Sequence, residues 1–449
     1  MAKIVIIGAG SMVFSSRLTT DILCVPELTE GTIVYVDIDR EALDRIEAFA
    51  QRLVDQEGLP TTIEATTERR RALEGADYVV TTFRVGGMEA TSLDINIPLK
   101  YGIDQAVGDT VGPGGIFYGQ CHIPLIIDIC RDMEELCPDA LLLNHSNPMA
   151  MLCWAVNEAT SVRIVGLCHS VQGTSERLAQ YMDIPYDELS YWVAGINHMA
   201  WFLRLQRNHE DVYPLLRQRL EKWDAAEGDE REDLASHDRR SWARDTVRRE
   251  IFRRFGYYVT ESTHHMSEYV PYFRRTPELM ETYALSRREE RMNERSGASR
   301  REQRMEEITR KAQGEEPISM ERSTEYSSRI IEACETDRKI RINGNVGNTN
   351  LITNLPPDCV VEVPCLVDAL GIHPCHVGDL PPQLAGLNRS NISVQELAVK
   401  AALKGDRAAL FQAVALDPLT ASTLSLDKIK AMVDEMFEAL LPWMPQFQE

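Results

Sequence analysis

Three short stretches of this chain carry side chains suited to chemistry. Cys168-His169 closes the apolar run RIVGL at residues 163–167, and Asn197-His198 follows in AGINHMAWF at residues 194–202. A thiolate and an imidazole together suit Mn, Fe, Co, Ni or Zn, but two ligands close no structural site, so the remaining positions would fall to water or substrate oxygens. Each residue also has a plainer reading, Cys168 as a core thiol and His198 as a core histidine with its hydrogen bonds satisfied. The third stretch is KIVIIGAGS at residues 3–11, a β-branched run that breaks into Gly8-Ala9-Gly10-Ser11 and then continues with helical spacing through Phe14, Leu18 and Ile22. A strand ending in Gly-x-Gly before a helix lets the backbone approach a pyrophosphate at the helix N-terminus. Asp37, closing the apolar run at 33–36, could accept hydrogen bonds from ribose hydroxyls and would repel a 2′-phosphate, which favours NAD over NADP, although Arg40 weakens that preference. Val13 holds the place of a third glycine, so the position directly after an N-terminal strand carries this reading more than the motif does; the plainer alternative is a simple turn.

The elements that must position these groups alternate. Short apolar runs at 78–83, 140–143 and 163–167 each follow a helix-like segment. That rhythm predicts an N-terminal Rossmann-like, doubly wound parallel sheet over residues 1–192, with helices on both faces. From residue 193 onward the pattern changes to long polar helical stretches, interrupted by an aromatic and histidine-rich segment at 257–273. Residues 193–449 are expected to form a mostly helical α+β domain of the lactate/malate dehydrogenase-like type over the carboxyl ends of the strands. The Arg/Glu-dense segment 286–311 reads as a solvated helix pair laced by i,i+4 charge pairs, in preference to a basic interaction patch. Residues 341–364 read as strand, Asn-rich loop and strand, followed by helices from 394 to 441.

With 449 residues, 44% hydrophobic and 26% charged, the chain can bury one large core or two fused ones. A formal charge of -21 argues against nucleic acid and anionic membranes as partners. No apolar stretch approaches the roughly 20 residues of a membrane helix, and the first residues read as a strand rather than a signal peptide. Ten cysteines without a CxxC pair suit a reducing, cytoplasmic setting.

Several motifs occur together and in order: GAGSxxF at 8–14, VDID at 36–39, RVGG at 84–87, DTVGPGGI at 109–116, NHSNPMAM at 144–151, GLCHSVQGT at 166–174, GINHMAWF at 195–202 and GNVGNTNLITNLPPDCVVEVPCLVDALGIHP at 344–374. In these the chain resembles glycoside hydrolase family 4, and its α-galactosidase branch most. The resemblance implies an NAD- and divalent-metal-dependent glycosidase, usually with manganese, acting by oxidation at sugar C3, elimination, water addition and re-reduction. This route departs from the carboxylate pair of most glycosidases. It implies Cys168 and His198 as metal ligands, and Asn147 as a substrate contact beside the metal. Dinucleotide contacts would come from Gly8, Gly10, Ser11, Phe14, Asp37, Arg84 and Asn147, and a further substrate contact from Asp109.

His169 stands where phospho-glycosidases of the family carry a proton-donating aspartate, and an imidazole can serve there. The base that removes the C2 proton falls in FGYYVTESTHHMSEYVPYF, where Tyr257, Tyr258, His265 and Tyr269 are candidates and His265 aligns best, Tyr269 next. Thr91 replaces the arginine that grips a 6-phosphate, and YGQCHIP at 118–124 lacks another, which implies a non-phosphorylated sugar and argues mildly against a uronic acid. An α-galactoside is the expected substrate. The alternatives are an α-glucosidase, an α-galacturonidase or, outside the family, a lactate/malate-type dehydrogenase or a non-catalytic NAD-binding regulator. The resemblance also implies a homodimer or homotetramer.

Overall fold

A computed structural model describes residues 1–225, 245–287 and 296–448, with only the backbone described for residues 296–302. Six strands, β1 (Lys3–Ile7), β2 (Thr32–Val36), β3 (Thr62–Thr66), β4 (Tyr78–Thr81), β5 (Leu141–Asn144) and β6 (Arg163–Gly166), pair in parallel in the order β3-β2-β1-β4-β5-β6. Four of the five β1 residues and all of β4 and β5 are buried, which is why they read as continuous apolar runs. The strand order turns back between β1 and β4, opening a crevice at the carboxyl ends of both. This is the expected doubly wound sheet. Strand β3 was not legible: TIEAT is a partly exposed edge with no apolar run to mark it.

The sheet does not end at β6. Strands β7 (Leu189–Ile196), β8 (Met199–Arg207), β9 (Glu210–Asp211), β10 (Ile340–Gly347), β11 (Val360–Asp368) and β12 (Gly371–Pro374) extend it in antiparallel fashion as β6-β10-β11-β7-β8-β9, with β12 on β11. The expected division at 192/193 falls inside β7. One row of paired residues crosses this extension from Gly166 through Asn345, Glu362 and Gly195 to Ala200. Strand, loop and strand over 341–364 are present as β10 and β11. The C-terminal helices begin earlier than residue 394, with Pro382–Lys404, whose first turn carries the starting proline. That helix lies against the long helix Gly112–Leu136, where Gln120 Nε2 donates to the Ala398 carbonyl at 3.0 Å. A single buried apolar cluster therefore joins the first sheet to the last helices.

Of the Arg/Glu segment, Ser296–Ala312 is one helix packed on helices Met12–Leu23 and Arg40–Glu57, with Ile308 buried and Lys311 paired to Glu307 at 2.5 Å. Residues 288–295 of the expected helix pair lie outside the described residues. Among the described residues, no helix is long and apolar enough to cross a membrane.

Candidate active site

The glycine turn is dictated by its own packing. Gly8 has φ +87, and a Cβ there would stand 2.6 Å from the Phe83 backbone at the end of β4. Gly10 donates its amide to Asp37 Oδ2 at 2.7 Å, and a Cβ on it would meet the same oxygen at 2.8 Å. Asp37 thus anchors the turn to the end of β2, with its second oxygen taking the Asp39 amide at 3.0 Å. The turn leads into the amino end of the helix Met12–Leu23, which carries no side-chain cap from Ser11, while its Met12 and Phe14 amides donate to the Gly10 and Ser11 carbonyls. This arrangement fits a pyrophosphate.

Other residues expected near the dinucleotide and sugar gather at the same ends of the strands. The Phe14 ring lies 4.5 Å from that of His145, just after β5. Arg84 is exposed and donates to Thr91 Oγ1 at 3.1 Å. Asn147 Nδ2 donates to Asp109 Oδ2 at 3.3 Å, and Asp109 Oδ1 accepts from Thr110 Oγ1 at 2.8 Å.

Cys168 and His198 come together although they lie on different parts of the sheet. Cys168 follows β6. His198 sits in the two-residue turn between β7 and β8, where its φ of 63 is a left-handed conformation that glycine or asparagine would adopt more cheaply. A histidine held in that position points to a use for its side chain. The third member is Glu261: its carboxylate, Cys168 Sγ and a His198 ring nitrogen all lie within 4.8 Å of one another. A sulfur, an imidazole nitrogen and a carboxylate oxygen at that spacing fit an open divalent-cation site.

His198 is fixed from both sides. Its Nδ1 is 3.2 Å from the Tyr269 hydroxyl, and its Nε2 is 3.6 Å from Glu261 Oε2. Tyr269 is fully buried, so it is placed to orient the imidazole that faces the cluster. Glu261 turns its other oxygen to His265 Nδ1 at 3.3 Å. Burial would raise the Glu261 carboxyl, but His198 and His265 outweigh that and hold it well below the usual range. His265 Nε2 is buried with no hydrogen-bond partner among the described residues. The same is true of both side-chain polar atoms of Asn197 and both oxygens of Glu362. Burial pushes the Glu362 carboxyl up to about 8. His169 stands exposed at the start of the helix Ser170–Met182.

Of the four candidate bases, two are drawn elsewhere. Tyr258 is buried against Asp245, to which its hydroxyl donates, and Tyr257 packs with Tyr213. Sequence reasoning passed over Glu261, which lies inside the very stretch it singled out. The signal was its i,i+4 spacing to His265 on either side of the cap Ser262, whose Oγ accepts the His265 amide. Asn197 and Glu362 were missed because nothing local marks a buried polar atom as unpartnered. A cavity of about 860 Å³ lies at the opposite ends of the strands, beside Tyr78, Leu141 and Arg163, and has no part in this cluster.

Two family models cover nearly the whole chain, the family 4 glycosyl hydrolase model over residues 3–184 and that family's C-terminal domain over residues 193–420. The chain belongs to the family 4 glycosyl hydrolases. It is 39% identical to an alpha-galactosidase of Bacillus subtilis (strain 168), covering 100% of both chains. It is 40% identical to an alpha-galactosidase of Rhizobium meliloti (strain 1021), covering 99% of this chain and 89% of that one. Among solved structures, a 6-phospho-alpha-glucosidase from gut microorganisms in complex with NAD and glucose-6-phosphate matches with TM-score 0.80 and 23% identity over 100% of both chains. As a family 4 glycosyl hydrolase, the protein is a glycoside hydrolase with the Rossmann-like sheet described above.

Proposed function

We propose that this hydrolase cleaves non-phosphorylated α-glycosides, α-galactosides first, using NAD and a divalent cation such as Mn2+. The observation that carries the reading is the Cys168–His198–Glu261 cluster, with His265 beside it, in the crevice that also holds the glycine turn. Its resemblance to the two alpha-galactosidases selects the sugar. When bound, the dinucleotide supplies reversible oxidation at sugar C3 and the cation supplies stabilisation of negative charge on the neighbouring oxygens.

The chain's own residues do the rest. Cys168, His198 and Glu261 hold the cation, and Tyr269 fixes the His198 ring. With its Nδ1 proton directed to Glu261, His265 keeps the Nε2 lone pair to accept the proton from sugar C2; the carboxylate orients the imidazole and stabilises the charge it gains. His169 donates a proton to the departing glycosidic oxygen. Asn147 and Asp109 orient sugar hydroxyls, and Gly8, Gly10, Ser11, Phe14, Asp37 and Arg84 seat the dinucleotide. Thr91 offers a hydroxyl where a phosphate reader would need a cation, which suits a neutral C6.

We further propose a cytoplasmic homodimer or homotetramer, the setting being supported by cysteines that are all free among those described. A panel of nitrophenyl glycosides assayed with NAD+, Mn2+ and a reducing agent tests the substrate. The α-galactoside should be turned over fastest and no net NADH should accumulate. Preference for the α-glucoside or α-galacturonide would move the enzyme to another branch, and stoichiometric NADH would make it a dehydrogenase.

A further inference from the structure

Behind the cluster lies a charged pair that takes no part in the chemistry above. Arg248 and Asp245 are 1% and 3% exposed, and Arg248 Nε donates to Asp245 Oδ1 at 2.6 Å. Removing two charges from water costs several kcal/mol per ion, and an apolar pair of similar volume would often be as stable. What the ions add is a set of directional bonds. Arg248 Nη1 donates to Thr174 Oγ1 at 2.7 Å and to the Thr260 carbonyl at 3.4 Å, while Thr174 Oγ1 donates to that same carbonyl. Asp245 accepts from Thr263 Oγ1 at 3.0 Å, from the Tyr181 hydroxyl at 3.1 Å and from the Tyr258 hydroxyl.

The attachment points lie on the segments that carry the cluster or directly follow it. Thr174 and Tyr181 lie on the helix Ser170–Met182, which starts directly after Cys168-His169. Thr260 and Thr263 flank Glu261. Thr260 is also tied to β8 just beyond His198, its amide donating to the Ala200 carbonyl at 3.0 Å and its hydroxyl accepting the Ala200 amide at 3.3 Å. Each of the three cluster residues therefore lies within six residues of a bond made by this pair or by Thr260.

We infer that Asp245 and Arg248 are positioning residues: through Thr174, Thr260 and Thr263 they set the separation of Cys168, His198 and Glu261, and so the affinity and coordination geometry of the cation site. The inference rests on the reading of that cluster as a cation site. It assigns the pair a job that bulk stability does not, because the geometry of a metal shell is sensitive to the groups that orient its ligands.

The test uses Thr174→Val, which keeps the volume and both charges but removes the hydroxyl that joins Arg248 to the Thr260 carbonyl, together with Arg248→Lys. Metal-free full-length protein is titrated with Co2+ and read by thiolate-to-cobalt charge-transfer and d–d absorption, with NAD+ affinity and thermal melting measured alongside. Folded Thr174→Val should bind Co2+ about tenfold more weakly, the low end of what losing such supporting groups costs. Its d–d bands should shift while NAD+ affinity stays at the wild-type value. If Arg248→Lys fails to fold, Thr174→Val decides alone. A folded Thr174→Val with wild-type Co2+ affinity and spectrum would overturn the inference, as would Co2+ and NAD+ affinities that fall together in step with a lowered melting temperature. Absence of thiolate absorption in the wild-type protein, matched by an unaltered titration in Cys168→Ser, would instead remove the cation reading itself, and the positioning role with it.

Discussion

The two ends of the crevice are built on opposite terms. At the glycine turn every special feature is answered by the protein itself: the positive φ of Gly8 serves its approach to Phe83, and Gly10 gives its amide to Asp37. At the other end the protein leaves polar atoms over. Asn197, His265 Nε2 and Glu362 are buried without partners among the described residues, around three potential ligands that converge within 4.8 Å. The first end takes its shape from its own packing before any dinucleotide seats on it. The second is arranged for groups that arrive later, and its leftover bonding capacity is a cost that folding alone does not recover.

Substitutions should separate the two ends, and the largest effect is expected at the second. Cys168→Ser should abolish turnover while leaving NAD+ affinity unchanged, since the sulfur lies outside the glycine turn. Chelation of the wild-type enzyme should do the same, reversed by added Mn2+. Retained turnover in metal-replete Cys168→Ser would break the assignment of that end. Gly8→Ala should act in the other direction, costing about 1–3 kcal/mol of stability from backbone strain and overpacking against Phe83. Urea unfolding of the metal-free, NAD-free protein reads that loss; wild-type stability would show that the turn is not self-determined. The smallest effect should come from Asn197→Ala. Removing an unpartnered buried amide leaves metal-free stability unchanged or raises it by up to about 1 kcal/mol, while kcat falls. A clear loss of stability would mean that Asn197 is a structural residue.

The same contrast explains what could be read from the sequence. The turn was legible because strand, glycine pair and helix are consecutive, and the buried parallel strands announce themselves as apolar runs. Cys168 and His198 were legible as residue types, and their pairing came from resemblance to a family, because the contact between β6 and the β7–β8 turn is made through β10 and β11 from far along the chain. Glu261 was within the right stretch but overlooked among aromatic and histidine neighbours. The hairpin β7–β8 escaped for a related reason: VAGI and MAWF are buried on both faces, so no alternation marks them as strands. The Asp245–Arg248 pair was invisible, since its bonds to Thr174 and Thr260 depend on tertiary placement and not on spacing.

The central claim is that bond cleavage begins with removal of the proton at sugar C2, by a base beside the Cys168–His198–Glu261 cluster. Turnover of an α-galactoside in deuterated water, followed by NMR of the released galactose, tests it directly. The account predicts solvent deuterium at C2 of the product, and loss of turnover in His265→Ala. Product with no deuterium at C2, formed at a rate that rises steeply with leaving-group ability, would contradict it and point to direct displacement by carboxylates such as Glu261 and Glu362.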